Sequence, residues 1–293
     1  MYIVEEPGRI AGQRLVWRGE IEPARALLGR LLALADERGE ANSYAIMRLH
    51  VTELELRAGN WDAAERLLDE WAESADADLL VPPMYERCRA LLYAGRGAAD
   101  QAEEWAARTI ADARSVGILW DEQEALRARA LIALLQDDAE RAAESARAVW
   151  AHMIRDGIDE PGVYPVAPDL VEALARLGER DEAQAVTDRL RALAEEHDHP
   201  WARLSVRRCD ALLRLAGTHD AAAAAELGAV ASAYQLLGLR FDAARTHLAA
   251  ARAQRRHRKW AGARASQERA RAAFSALGSP GWEVQAGGSV MMA

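Results

Sequence analysis

Residues 59–75 read G-N-W-D-A-A-E-R-L-L-D-E-W-A-E-S-A, and six other segments of the chain follow the same pattern. A glycine is followed by an acidic helix start and then by an amphipathic helix. The alanines at the position of Ala64 recur every 38 to 41 residues, and a fixed period of this length indicates a stacked array of helical units. These alanines are Ala24, Ala64, Ala102, Ala142, Ala183, Ala222 and Ala263.

Two positions of the pattern have a physical role. Five residues before the alanine a glycine recurs, broken only by Asp137 and Arg258. Glycine takes a positive φ without strain, so it ends the preceding helix. Two residues before the alanine an acidic residue recurs, where a carboxylate faces the positive end of the helix dipole. Because an apolar-periodic segment precedes each glycine, every unit is predicted to be helix–turn–helix.

The predicted fold is therefore all-α: a right-handed superhelical solenoid of about seven tetratricopeptide-like helix pairs over residues 1–278. Residues 157–168 contain three prolines and cannot be helical throughout. They are a candidate bend or functional loop, with an ordered spacer as the alternative. Residues 279–293, with Gly287 and Gly288, are predicted to be a weakly ordered tail.

Composition narrows the class of protein. The net charge is −9, and an acidic body argues against general nucleic-acid binding. No run of about 18 apolar residues predicts a membrane span, and no signal peptide is seen, so a cytoplasmic protein is expected. Cys88 and Cys209 lie in predicted helices of different units and are expected to be reduced and buried.

Motifs for chemistry are missing from the sequence. Lys259 is the only lysine, and it does not lie in a phosphate-binding loop. The dinucleotide, nucleophile-elbow and zinc-protease motifs do not occur. His197 and His199 form the one histidine cluster, but without a third ligand a solvated turn is the expected structure. The sequence predicts no catalytic residue, no metal site and no cofactor.

Three aromatic residues are candidates for contact with a ligand. Trp120, Tyr164 and Trp201 lie near the starts of first helices, which tend to line the concave side of such arrays. A packing role is the alternative.

A basic stretch near the end of the chain is a candidate docking face. Residues 240–273 contain ten Arg or Lys and two acids. Arg252, Arg255, Arg256 and Lys259 have the i, i+3, i+4 spacing of one helical side. A solvated face or a docking surface for an acidic neighbouring domain is the favoured interpretation, and contact with phosphates is the alternative.

The segments R-A-G-N-W-D-A-A-E-R-L-L (57–68) and R-L-G-E-R-D-E-A-Q-A-V (176–186) resemble tetratricopeptide repeats. The longer unit resembles more closely the sensor region of large ATP-binding LuxR-type transcriptional regulators, the maltose-activator family. Residues 274–286 are similar to the last helix and turn that precede the DNA-binding domain in that family. The family's nucleotide-binding and helix-turn-helix modules are not seen, so ATP hydrolysis and DNA binding do not carry over. The resemblance implies an excised sensor domain or a stand-alone relative.

The expected function is a non-catalytic scaffold, or the sensor domain of a transcriptional regulator, that binds a protein or peptide in its concave groove. A domain that senses a small inducer is the first alternative. An enzyme with a pocket inside the superhelix is the second. The partner is expected to be a protein or peptide, or a small effector, without nucleic-acid or membrane contact. Homo-oligomers are compatible with all three interpretations.

Overall fold

The computed structural model describes residues 2–74, 82–217 and 220–288, and the regular elements within these ranges are all helical. The all-α prediction is confirmed. A short 3-10 helix (Ile3–Glu5) precedes fifteen α-helices. The first helices of the pairs are α1 (Pro7–Arg18), α3 (Ala41–Ala58), α5 (Pro82–Arg96), α7 (Leu119–Leu135), α9 (Ala167–Leu177), α11 (Pro200–Gly217) and α13 (Arg240–Arg256). The second helices are α2 (Ile21–Glu37), α4 (Trp61–Glu73), α6 (Ala99–Val116), α8 (Ala139–Arg155), α10 (Arg180–Glu196), α12 (Ala221–Leu236) and α14 (Trp260–Leu277), and α15 (Pro280–Gly288) follows them.

The turns within the pairs explain the repeated glycine. Gly19, Gly59, Gly97 and Gly178 have φ between 72° and 83°. Asp137 and Arg258, which break the glycine pattern in sequence, also have positive φ, at 63° and 59°. The backbone therefore makes the same left-handed turn whether or not glycine is present. In the sixth unit Gly217 ends α11, and residues 218 and 219 lie outside the described ranges.

The repeated alanine marks the buried side of the second helices. Six of the seven predicted alanines are at most 2% exposed. Ala222 is the exception, since it is exposed and Ala223 is buried instead. Asp220 caps α12 by accepting a hydrogen bond from the backbone N–H of Ala223. The predicted position of the buried alanine is thus wrong by one residue here. In a run of five alanines, no difference between side chains indicates which one is buried.

First and second helices form two layers. Each first helix contacts the first helix of the next unit, as α3 contacts α5 and α5 contacts α7. These helices bury residues on most of their sides: α7 buries eleven of its seventeen residues. The second helices bury a single stripe, as α8 does with six of seventeen. The first helices therefore form the inner layer.

The array is closed by contacts between its early and late units. In the inner layer α1 contacts α11, and α15 contacts α5 and α7. The Trp61 ring meets Phe241 edge-on with 5.2 Å between centroids, and Arg18 Nη1 donates to the carbonyl of His197 at 3.1 Å. The accessible surface is 12582 Å², close to the roughly 12,300 Å² expected of a compact monomer of this mass. The interior of the array is therefore largely filled.

The predicted interruption at residues 157–168 is non-helical up to residue 166, whereas Ala167 and Pro168 begin α9. Val163 and Tyr164 are buried in the interior. A Cβ at Gly162 would lie 1.9 Å from the carbonyl oxygen of Trp17, so only glycine allows this approach to α1. The segment is an inward-folded connection that fills part of the space between the inner helices.

The tail differs from the prediction of weak order. Pro280–Gly288 forms α15, because Trp282 supplies an apolar anchor. Its side chain is 1% exposed, and its Nε1 donates to the carbonyl of Ala94 at 2.9 Å. Residues 289–293 lie outside the described ranges. No helix of the described residues is long and apolar enough to cross a membrane.

Candidate functional site

The inner helices surround a central cavity with a water-accessible volume of about 80 Å³, within an empty space of about 700 Å³ that includes open solvent. It lies between α1, α3, α5, α7, the inward-folded connection and the start of α13. The volume of about 80 Å³ has room for several water molecules or for one small chemical group. The central cavity is lined by Gln13, Val16, Trp17, Glu53, Leu56, Arg57, Trp61, Arg87, Leu91, Gly95, Trp120, Glu124, Arg127, Leu131, Gly162, Val163, Pro165, Phe241 and Asp242.

Aromatic rings form one wall of the central cavity. Trp17 and Trp120 lie 6.0 Å apart between ring centroids, and Tyr164 lies 5.0 Å behind Trp120. Trp120 is half-buried and lines the cavity, whereas Tyr164 is 2% exposed. Burial raises the pKa of the Tyr164 hydroxyl, so this group keeps its proton. Of the predicted ligand residues, Trp120 and Tyr164 are thus brought together, and Trp120 is the one that faces open space.

Trp201 lies apart from this wall. Its side chain is 0% exposed, and the guanidinium carbon of Arg57 lies 5.2 Å from its ring centroid. The Arg57 guanidinium therefore makes a cation–π contact with the Trp201 ring. Trp201 therefore does not line the central cavity itself, but it contacts Arg57, which does.

The polar wall of the central cavity is an ion network on α3, α5 and α7. Arg87 Nη2 pairs with Glu53 Oε1 at 2.5 Å, and Arg87 Nε also bonds to Asp121. Burial alone would raise the pKa of Glu53, but Arg87 and His50 outweigh it and lower this pKa to about 2. Both charges therefore stay ionised, and they are compensated by each other.

Arg57 is the polar group at the inner end of the cavity. Its Nη1 donates to Asp242 Oδ2 at 3.0 Å, but its buried Nε and Nη2 have no hydrogen-bond acceptor among the described residues. Buried donors without acceptors are costly, on the order of 1–3 kcal/mol each. Arg57 is consequently the side chain in this cavity with the greatest unused capacity to hold an acceptor group.

The two cysteine thiols do not line the central cavity. Cys88 and Cys209 are buried and unpaired, as the sequence predicts. Burial raises the pKa of the Cys88 thiol to about 12, so it remains protonated and inert. Among the described residues, no three His, Cys, Asp or Glu side chains are grouped to hold a metal ion.

The predicted basic docking face does not form one helical side. Helix α13 ends at Arg256, and Lys259 lies beyond it at the start of α14. Arg255 donates to Gln267 Oε1 at 3.2 Å, while Arg256 and Lys259 are exposed. Arg252 points inward and faces Glu172, with 3.5 Å between Nη1 and Oε1. The turn after Arg256 separates residues that an uninterrupted helix would align.

The histidine turn also differs from the prediction. His199 is 0% exposed, and its Nε2 lies 2.8 Å from Glu160 Oε1 in the inward-folded connection. Its Nδ1 accepts a hydrogen bond from the backbone of Ala202. His199 therefore precedes the first residue of α11 and links that helix to the inward-folded connection. Its role is structural.

The sequence does not reveal most of the cavity-lining residues. Glu124 and Arg87 are buried charges that line the cavity from inner helices, and motif searches do not find such scattered positions. One signal is present: the first helices carry charges on several sides, which is unusual for helices in a core.

No family model matches the chain, and none of the curated proteins has a similar sequence. Function is therefore inferred from the geometry of the cavities.

Proposed function

We propose that the protein is a non-catalytic helical-repeat sensor that holds a small effector in its central cavity. The observation that carries this proposal is the central cavity of the closed array, which is lined by aromatic rings and by an arginine with unused hydrogen-bond donors. Trp17 and Trp120 offer flat apolar surface, and Arg57 offers donors for one polar group. Such a combination of apolar walls and few polar groups is typical of ligand pockets.

We also propose that the helix pairs wind as a right-handed, tetratricopeptide-like superhelix, of the kind found in the sensor regions of LuxR-type regulators. The period near forty residues and the repeated left-handed turns support this. In this proposal, effector binding changes how the array meets a protein partner in transcriptional regulation. The cytoplasm is the proposed location, and the two unpaired cysteines agree with a reducing compartment.

The sequence favours a peptide in the concave groove, whereas the packing favours a small effector. An extended peptide would need the space that α15 and residues 156–166 occupy. Both segments have buried aromatic anchors, Trp282 and Tyr164. Their displacement would expose these rings to water, at about 1.5–3 kcal/mol or more for each.

The test is to denature protein purified from its source cell and to identify released small molecules by mass spectrometry. A binding assay follows with each compound found, using the fluorescence of the cavity tryptophans. The variant Leu131→Phe narrows the cavity, because Leu131 lines it and is 6% exposed. It is expected to weaken binding, whereas the same change at Leu236, which is 90% exposed, is not. Release of peptides alone, or equal binding by both variants, would contradict the proposal.

A further inference from the structure

A second pocket lies between the C-terminal parts of α9, α11 and α13, separate from the central cavity. Its water-accessible volume is about 40 Å³, within an empty space of about 350 Å³ that includes open solvent. It is called here the basic pocket (Glu172, Arg176, Leu215, Arg252 and Arg256). The three helices are the first helices of consecutive units, so the pocket is built from the inner layer.

Positive charge exceeds negative charge around the basic pocket. The Glu172 carboxylate bonds to Arg176 and Arg208, with Arg252 at 3.5 Å and Arg245 at 3.8 Å. In the part of the chain that the structure describes, these arginines reach two further carboxylates, Asp137 and Asp169. With Arg256 at the mouth, five arginines face three carboxylates. The carbonyl ends of the helices offset part of this excess.

Arg252 is the least satisfied of these arginines. Its side chain is only 18% exposed, yet it has no acceptor nearer than 3.5 Å among the described residues. Its contacts are Glu172 at 3.5 Å, the Leu134 carbonyl at 3.5 Å and Asp137 at 3.8 Å. Burial, together with repulsion from Arg176, lowers the pKa of Arg252 to about 10. The Glu172 charge is shared among several arginines and cannot neutralise this one.

The remaining walls of the basic pocket are apolar. Leu212 and Leu215 of α11 are at most 7% exposed, and small alanines of α13 lie opposite them. The inward-pointing Arg252, the exposed Arg256 at the mouth and the apolar walls match a molecule with an anionic head and a short hydrocarbon part.

We propose that the basic pocket is a binding site for a small organic carboxylate, whose head group pairs with Arg252 and Arg256 and whose apolar part contacts Leu212 and Leu215. This site is independent of the central cavity and of the effector proposed for it. Arg176 closes the third side through its ion pair with Glu172.

The experiment is isothermal titration of the whole chain with 4-methylpentanoate, and with the neutral 4-methylpentanamide as the matched probe. Saturable binding of the acid, weakened by added salt, is expected, with no binding of the amide. Arg256→Gln removes one charge-assisted pair at an exposed position and should weaken binding about tenfold. Lys259→Gln, exposed but outside the pocket, is the control and should bind like the wild type.

Arg252→Met supplies a second variant, since it removes the buried charge and keeps much of the side-chain volume. It should lose binding at least as strongly as Arg256→Gln. If this variant does not fold, Arg256→Gln still decides the question. Equal affinities for acid and amide, or for Arg256→Gln and Lys259→Gln, would overturn the proposal. Saturable binding of an acidic peptide such as acetyl-Glu-Leu-Glu-amide, without binding of the free acid, would assign the pocket to a protein partner instead.

Discussion

Gly59 shows how one residue meets both a local and a distant requirement. Its φ of 72° is strained for any residue with a side chain. A Cβ at this position would also lie 3.2 Å from Leu277 and 3.3 Å from Phe241, which belong to the last unit. The local turn pattern predicts the positive φ, but only the closed array explains the second constraint.

A comparison of two glycine variants separates these effects. Gly117 has a similar φ of 74°, and a Cβ there would meet no distant described residue within 4 Å. Gly117→Ala should therefore cost about 1 kcal/mol through backbone strain alone. Gly59→Ala should cost about 2 kcal/mol or more, since Phe241 and Leu277 must also shift. Urea denaturation of both variants measures the difference, and equal losses would argue against the contact between early and late units.

Glu53 makes the free energy of unfolding depend on pH. Its pKa is lowered to about 2 by Arg87 and His50, from a usual value of 4.5. The unfolded chain therefore binds a proton at higher pH than the folded chain does. The stability that this group contributes is complete above pH 4.5 and is lost as the pH falls toward 2. It amounts to something on the order of 3 kcal/mol.

Glu53→Gln should flatten the stability profile between pH 4.5 and 2 relative to the wild type, as measured by urea denaturation at each pH. Glu73→Gln is a suitable control, because Glu73 is exposed at the end of α4. A wild-type profile with the same slope as the Glu53→Gln profile would show that the ion pair with Arg87 does not form in solution.

Helix α15 behaves as an internal element of the fold, although it follows the last pair. It packs on α14 and reaches across to α5 and α7. Gly97 and Gly281 let the two backbones approach, since a Cβ at Gly281 would lie 2.1 Å from the carbonyl oxygen of Gly97. Trp282 then fills the space beside Phe241, with 5.5 Å between ring centroids.

Truncation of Trp282 tests the role of α15. Trp282→Ala should cost about 3–5 kcal/mol, because it opens a cavity and removes the hydrogen bond that Trp282 Nε1 donates to the Ala94 carbonyl. Val284→Ala on the same helix should change stability by less than about 0.5 kcal/mol, since Val284 is 72% exposed. Thermal and urea denaturation of the two variants, at equal protein concentration, measures both effects. Equal small losses would mean that α15 is detached in solution.

At the level of elements, the sequence predicts the helix pairs well and their exact frame less well. Periodic apolar residues and turn glycines report which side of a helix is buried, and those signals are local. They place Ala64 and Ala183 correctly. They are not sufficient at Ala222, where neighbouring alanines are interchangeable, or at Trp282, whose partner Ala94 is 188 residues away in sequence. A short segment rich in glycine is predicted to be weakly ordered when its distant partner is unknown.

The whole molecule is held together by contacts between units that are far apart in the chain. In open repeat arrays each unit touches only its neighbours, and such arrays can unfold unit by unit. Here Arg57 of α3 pairs with Asp242 of α13 at 3.0 Å, and Trp61 contacts Phe241. These contacts couple the second unit directly to the last.

Equilibrium unfolding should therefore be a single cooperative transition. Tryptophan fluorescence and far-UV circular dichroism should give coincident urea midpoints, since loss of one end of the array removes contacts at the other. The double variant Arg57→Gln/Asp242→Asn removes one charged link between the ends and should broaden the transition or lower its midpoint. Separate midpoints for the two probes in the wild-type protein would contradict this coupling.

Closure is the feature that the sequence does not predict. The spacing of units predicts a curved array, but small differences in the angle between successive units decide whether its ends meet. Those angles depend on contacts such as the close approach of the Gly162 backbone to the Trp17 carbonyl, which has no local sequence signature. The same limit applies to the candidate sites: Trp120 is predicted from its position, whereas Arg57 and Glu172 emerge only when distant helices are brought together.

A closed array cannot change its length freely. Solenoids whose ends are apart gain or lose units by duplication and deletion, because every copy fits against any other. In this molecule an extra pair between α8 and α9 would carry Phe241 past Trp61 and Trp282 past Ala94. The number of units is consequently fixed by the contacts that join the early and late helix pairs.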